Sequence, residues 1–577
     1  MTSDSVSDEQ LATTGRCSFW GWPQKELYMR RFTWIIVWSL VALEFGACHG
    51  LSAEPVSATL VLKNASLLDG SGTPAVPGSV AISKGEIVAV GEFEVSGTPW
   101  VIDCKGLVVC PGFIDLHNHS DRPIIEAQTR GAVNYLTQGC TTIVNGNCGS
   151  GPVDADKLYR EIDAQGAGVN VAHLIPQGAV RDAVIGNVNR LPTDDELSLM
   201  KKLCEKAMLD GCWGMSTGLI YVPSGYAQTD ELVALSKVVM AHGGIYVSHM
   251  RDEGSGLMNS VKELLEIGRQ ANIPVHASHF KANGRDAWGL SVDAVRFMDE
   301  ARKTGLKVTA DQYPYNASST SLEATVIPKD MREGSRSDLI KRLEAATPDS
   351  TLWKAISHEI EYKDHGKEIR IARFDARPDW IGRSLADVAE KEQKDPVEIV
   401  VIATKAGGAS VVNFGMNEQE VRDIMALDWV ATASDGRAEV PNADRPHPRS
   451  YGTFSRKIGF YSLQEKIIPL EHAVRSATGL PADILGLSNP KRLRAKPSST
   501  EQEKAADPLP RGYLKPGFAA DVTVFDPQKF IDQATFDEPH RYSAGLRYVL
   551  VNGIPAVYEG TPTGALSGVA LRSRSNP

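Results

Sequence analysis

The chain has 577 residues, a formal net charge of -10 and a sequence pI near 5.8. That balance carries no basic footprint for nucleic acid, and a hydrophobic content of 42% is ordinary for a packed globular protein. The length exceeds one typical domain, so a large domain carrying smaller modules is expected.

In chain order, Met29-Arg30-Arg31 precedes an apolar run from Phe32 to Leu43, and small residues follow up to Leu51-Ser52-Ala53. A basic start, a short apolar core and a small-residue exit describe a secretory signal peptide; an uncleaved anchor is the alternative, for which the run is short. Residues 1–53 are therefore expected to be an N-terminal lead and signal peptide. The mature chain is expected to be exported to a periplasm, with no stable membrane span left after cleavage. Residues 56–110 hold short strand-like runs such as Ala58–Lys63, Ser79–Ser83 and Glu86–Val90, and residues 511–560 have the same character around Lys515–Phe525 and Tyr548–Gly553. The two ends are expected to form one small β-sandwich built from both termini.

Between them, eight strand candidates can be read at 113–119, 141–147, 170–176, 213–219, 244–249, 273–279, 306–313 and 429–435. Amphipathic helical segments separate most of them, for example Thr229 to His242, with Thr229 as N-cap, and Gly256 to Ala271. The alternation predicts an α/β chain whose main domain, 111–480, is a (β/α)8 TIM-like barrel. The gap before the eighth strand is too long for one helix, so 345–412 is expected to be an inserted subdomain near the barrel mouth. Residues 488–510, rich in Lys, Pro, Ser and Glu, read as a solvated surface insertion, and 561–577 as a tail.

His117 and His119 stand one residue apart at the end of the first strand, so both imidazoles project from one face. Alone, such a pair is more often two polar residues on a wet face. Four further candidates end apolar runs in the same way: Cys148, His249, His279 and Asp435. Each singly reads as a core residue or, for Asp435 before Gly436, a turn residue. Together, at the ends of parallel strands that converge in space, they point to a metal site, and Zn²⁺ suits a mixture of imidazole, thiolate and carboxylate. Beyond the targeting region, Cys104, Cys110, Cys140, Cys148, Cys204 and Cys212 match no zinc-knuckle or Cys-x-x-Cys spacing and indicate no disulfide framework.

The stretches Pro111–His119, Gly146–Gly149, Ser216–Pro223, Ser248–Gly254, Ser278–Lys281, Asp311–Tyr315, Ser434–Gly436 and His447–Arg449 resemble those of the N-acyl-D-amino-acid deacylases (D-aminoacylases) of the metal-dependent amidohydrolase superfamily. Gly146-Asn-Cys-Gly149 is the specific one, because these deacylases use a cysteine thiolate where most relatives bridge two metals with a carboxylated lysine. The resemblance runs from about Ala58 to about Tyr558. It implies a zinc-dependent hydrolase that splits N-acyl-D-amino acids into a carboxylate and a free D-amino acid by metal-activated water. It implies a tight ion on Cys148, His249 and His279. It also implies a weaker position lined by His117, His119 and Asp435, with Asp435 as general base and then acid. A small-molecule substrate with a free α-carboxylate needs a cation; Arg449 can grip it bidentately, and Lys281 and Tyr313 are implied beside it. Ser319 is either a substrate-orienting residue or a turn residue, and Arg251 and Lys303 are left out as solvated charges. A related amidohydrolase acting on cyclic amides or D-residue dipeptides is the alternative, and a non-enzymatic binding protein on the same fold a weaker one. Two segments depart from the family pattern: Cys212-Trp213, where small residues are expected, and Asn170–Gln177, where His173 is read as structural.

Overall fold

The computed structural model describes residues 54–495 and 508–575. The expected signal peptide and the middle of the 488–510 insertion lie outside the described residues. All elements below belong to the unit Pro55–Pro577.

Every one of the eight strand candidates contains a parallel strand: Phe113–Asp115, Cys140–Asn145, Asn170–His173 with Ile175–Pro176, Gly214–Gly218, Ile245–His249, Val275–Ala277, Val308–Gln312 and Val430–Thr432. They are arranged as two sheets in series rather than one closed ladder. The third strand serves both sheets, because it breaks at Leu174; its first half pairs with Thr142–Asn145 and its second half with Met215–Ser216. Between the first and last strands the ladder gives way to one parallel bridge, Asn118 to Gly436. There the Asp435 amide donates to His117 O and the His119 amide to Gly436 O, each at 2.8 Å.

Side chains alternate along each strand between two apolar clusters, as the pleat requires. Ile114, Val144, Ala172, Val247 and Ala431 pack together in one. Phe113, Ile143, Val171, Tyr246 and Val430 pack in the other with helix residues such as Leu158, Leu232 and Leu264. Fully burying each such side chain stabilises the fold by about 1.5–3 kcal/mol before entropy is counted. Thr229 is the first residue of the helix Thr229–Ala241 rather than its cap, because Gln228 holds the cap position and the Thr229 hydroxyl donates to Glu263 at 3.0 Å. Gly256 caps Leu257–Ala271.

The termini meet in one nine-stranded sheet, beside which Val56–Ser57 and Val95–Ser96 pair in parallel. N-terminal Val108–Pro111 runs antiparallel to C-terminal Val522–Phe525, and strands between 60 and 103 and between 546 and 562 extend the sheet on either side. Two-residue hairpins at Lys84-Gly85 and Asn552-Gly553 have positive φ at both positions, 51° and 80°, then 51° and 79°. This is the turn geometry that follows strand twist. Between the seventh and eighth parallel strands, Ser318–Ser321, Ile369–Arg373 and Ser410–Asn413 form a small antiparallel sheet. Helices between 322 and 405 share a separate apolar cluster containing Leu322, Ile371, Trp380 and Val400, so this module begins upstream of the expected residue 345.

Buried Trp213 explains the first departure from the family pattern: its indole N–H donates to Leu571 O at 2.8 Å. The C-terminal segment also pairs with the third strand through Val171 and Ala570. No helix among the described residues is long and apolar enough to cross a membrane.

The terminal sheet is tied to the parallel strands by buried Asp521. Its carboxylate accepts from Arg511, from Asn170 Nδ2 at 3.0 Å and from the Asn552 amide at 2.7 Å. Asp521→Ala leaves Arg511 buried without its counter-charge and should destabilise the protein by about 3–5 kcal/mol. Thermal denaturation checks this: a midpoint within about 1 °C of the parent would show that the network does not couple the two parts.

Candidate metal centre and active site

The site forms where five strands end, and the backbone turns sharply there. Cys148, His279 and Asp435 adopt left-handed φ values of 52°, 35° and 51°, a conformation few non-glycine residues take and one concentrated at functional sites. Local hydrogen bonds hold these turns. Ser216 Oγ accepts from the Gly149 amide at 3.0 Å, and Asn147 Nδ2 donates to Leu116 O and Val144 O at 3.1 and 2.9 Å. Asp311 Oδ1 accepts the His279 amide at 2.6 Å. Asp115 takes the Ser434 amide at 2.8 Å, the Ser434 hydroxyl at 2.5 Å and Asn118 Nδ2 at 2.8 Å. Burial raises the Asp115 carboxyl to about 6 against the pull of these donors.

The six sequence-predicted donor residues come together. Cys148 Sγ lies 3.3 Å from His117 Nε2, 3.5 Å from His249 Nδ1 and 3.8 Å from His279 Nε2, and the last two nitrogens are 2.8 Å apart. Asp435 Oδ1 is 3.0 Å from His119 Nε2 and 3.5 Å from His117 Nε2. Among the described residues three overlapping triads could each hold an ion: His117, His119 and Cys148; Cys148, His249 and His279; His117, His279 and Asp435. Burial opposes ionisation of the Cys148 thiol, yet the facing His117 and His249 rings outweigh it and hold the thiol well below its ordinary value. The donor chemistry fits a metal. One thiol and four imidazoles crowd together with more lone pairs than protons to share, and a cation satisfies such a set. All six described cysteines are free and buried.

Arg449 Nη1 lies 2.6 Å from Asp435 Oδ2, and Nη2 donates to Ser319 O at 3.1 Å. Burial works against the charge on Asp435, but Arg449, His279 and His117 keep its carboxyl well below the usual range. A cavity of about 730 Å³ opens over His119, Cys148, Tyr221, Ser319, Asp435 and Arg449, and a smaller one of about 250 Å³ shares His119, Asp435 and Arg449 with it. Tyr313 is buried beneath, its ring 5.0 Å from the Arg449 guanidinium carbon and 6.0 Å from Lys281 Nζ. Lys281 does not line either cavity; its ammonium contacts Glu253 at 2.6 and 2.7 Å and His279 O at 3.0 Å. Arg251 is not a solvated charge: Glu263 takes it bidentately at 2.9 Å, and it donates to Gly225 O and Ala227 O. His173 is buried, with Nε2 2.9 Å from Pro152 O and Nδ1 3.8 Å from Asp121.

Sequence reading passed over Asp115, Glu253, Asp311 and Tyr221, which all lie inside motifs it singled out. The Tyr221 ring packs 5.0 Å from His249, and its hydroxyl bonds Thr320 Oγ1 at 3.1 Å.

A model of the amidohydrolase family matches residues 100–557. D-aminoacylase of Alcaligenes xylosoxydans xylosoxydans is 32% identical over 89% of this chain and 97% of that protein. A D-aminoacylase structure with a binuclear metal centre, showing one-metal activation and second-metal attenuation, matches with a TM-score of 0.73 at 29% identity, over 89% of this chain and all of that one. N-acyl-D-glutamate deacylase of Bordetella bronchiseptica, solved with zinc and a phosphonate mimic of the tetrahedral intermediate, matches with a TM-score of 0.72 at 30% identity, over 90% and 100% of the two chains. The family model spans most of the chain and the relatives match it nearly end to end, so this protein belongs to the amidohydrolase family, in its N-acyl-D-amino-acid deacylase (D-aminoacylase) branch.

Proposed function

We propose that this protein hydrolyses the amide bond of N-acyl-D-amino acids to a carboxylate and a free D-amino acid. The observation that carries the reading is the position of Asp435, which touches both strand-end histidines on one side and Arg449 on the other at the floor of the cavity. Cys148, His249 and His279 would hold a tight zinc ion, and His117, His119 and Asp435 a weaker second one, in keeping with the zinc and the binuclear centre of the matched structures. Zinc, when bound, supplies Lewis acidity and lowers the pKa of water to about 7.

The chain's own residues do the rest. Asp435 is kept ionised by Arg449, so it can accept a proton from the attacking water and return it to the departing amine nitrogen. Arg449 has five N–H donors, enough to hold Asp435 and Ser319 O and still bind the α-carboxylate of the substrate. Tyr313, with its ring 5.0 Å from that guanidinium carbon, limits its movement, and Lys281, paired with Glu253, lies 6.0 Å from the same ring. The low exposure of the Arg449 and Asp435 side chains strengthens their electrostatic interaction.

We read the two parallel sheets as a (β/α)8 barrel closed through the Asn118–Gly436 bridge, flanked by a module of both termini, with the 345–412 region as part of an insertion over the mouth. The basic and apolar pattern of residues 29–53 supports export to a periplasm.

Paired N-acetyl-D- and N-acetyl-L-amino acids test the activity. D-selective release of free amino acid, lost with a chelator and restored by Zn²⁺, is expected; no turnover of either enantiomer by zinc-loaded protein would overturn the reading. Asp435→Asn should lower kcat by about 10²–10⁴-fold, measured alongside zinc content. A variant with near-parental kcat would remove Asp435 from the proton transfers. Arg449→Ala should raise KM for acyl-amino acids by about 10–100-fold; an unchanged KM would mean that the carboxylate binds elsewhere.

A further inference from the structure

Behind two of the residues read above as zinc ligands stands a carboxylate that the proposed chemistry does not use. Glu253 follows His249 by four positions in Ser248–Gly254 and is 6% exposed. Its Oε1 lies 3.0 Å from Nδ1 of His279, and its Oε2 lies 3.7 Å from Nε2 of His249. These are the ring nitrogens turned away from Cys148. The opposite ones, Nε2 of His279 and Nδ1 of His249, are those 3.8 and 3.5 Å from the sulfur.

A neutral imidazole carries a single ring proton, so a ring that donates through one nitrogen offers a lone pair at the other. His249 Nε2 is buried without a hydrogen-bond partner, and the carboxylate is the acceptor facing it. We propose that Glu253 is a positioning residue that fixes His249 and His279 in the tautomers whose free lone pairs point at Cys148. The inference rests on reading Cys148, His249 and His279 as zinc ligands. It accounts for why the two histidines present different nitrogens, Nδ1 and Nε2: one carboxylate faces the outward nitrogen of each, at 3.7 Å for His249 and 3.0 Å for His279. Lys281 then serves as the counter-charge that allows a carboxylate to be buried there, through contacts of 2.6 and 2.7 Å.

Lys281 Nζ also lies 2.8 Å from His279 Nδ1. If the ammonium were the donor at that nitrogen, the ring proton would sit on Nε2 and face Cys148, the arrangement opposite to the one proposed. The two possibilities predict different mutants.

The test uses the full chain. Zn²⁺ affinity is measured by competition with a chromophoric chelator, and the Co²⁺-substituted protein is examined by absorption spectroscopy. Glu253→Gln is expected to weaken Zn²⁺ binding by about 10–100-fold and to shift the Co²⁺ spectrum, with Glu253→Asp falling between it and the parent. Lys281→Met should bind Zn²⁺ more tightly than Glu253→Gln. Thermal midpoints of the zinc-saturated variants close to the parent's would attribute the loss to the ligands rather than to unfolding. Zn²⁺ affinity unchanged in Glu253→Gln, or in Glu253→Asp should the first variant not fold, overturns the positioning role while leaving the ligands in place. Weakening by Lys281→Met alone overturns it in favour of the ammonium. A parent chain that binds no Zn²⁺ overturns the ligand reading and this inference with it.

Discussion

Asp115 holds the first strand against the loop that follows the last one. Its two oxygens take the amide and hydroxyl of Ser434 and the side chain of Asn118, so His117 and Asp435, more than three hundred positions apart, meet at a fixed separation. The backbone contributes only one bridge there, because Asp435 leaves extended geometry and the ladder does not continue. The seam between first and last strand is therefore held by the two backbone hydrogen bonds of that bridge together with the side-chain bonds of Asp115, and one wall of the site stands on it. The same device recurs at the other wall, where Asp311 accepts the His279 amide and lies 2.8 Å from His276 Nε2.

Charge is balanced in pairs around this centre. Asp435 lies against Arg449, Glu253 against Lys281, and the Cys148 sulfur against imidazoles, each nearly or fully out of solvent. Buried charges without partners cost several kcal/mol each, so every acid near the reacting groups needs a base packed beside it. The pairing also explains why Lys281 lies behind His279 and not on the cavity wall. The cation that remains on the wall of both cavities, among those the sequence nominated, is Arg449.

Much of this was legible in the sequence, for a definite reason. A buried parallel strand is an apolar run, and a polar residue that ends one stands at the face where side chains converge; His117, Cys148, His249, His279 and Asp435 all carry that signal. Asp115, Glu253 and Asp311 do not, because an acid looks the same in sequence whether it is solvated or accepts hydrogen bonds in the interior. The onset of the inserted module is not legible in the sequence because its first strand, Ser318–Ser321, is wholly polar and shows no alternation. At the termini the runs disclosed strands but not partners. Pairing Val108–Pro111 with Val522–Phe525 depends on contacts across four hundred residues, which periodicity does not encode. Trp213 was noticed as unusual, but its partner, the carbonyl of Leu571, lies at the far end of the chain.

The left-handed backbone at Cys148, His279 and Asp435 has a consequence for how this protein can change over time. A side chain in that conformation costs about 1–2 kcal/mol relative to glycine, so backbone preference alone favours glycine or asparagine at these three positions, while the pairing of Asp435 with Arg449 and the chemistry of the site favour what is there. In a duplicated copy released from catalysis, the backbone strain at these positions would no longer be offset by function. Glycine or asparagine at these positions in a related chain thus points to a scaffold without the ligand set on which the proposed hydrolysis depends.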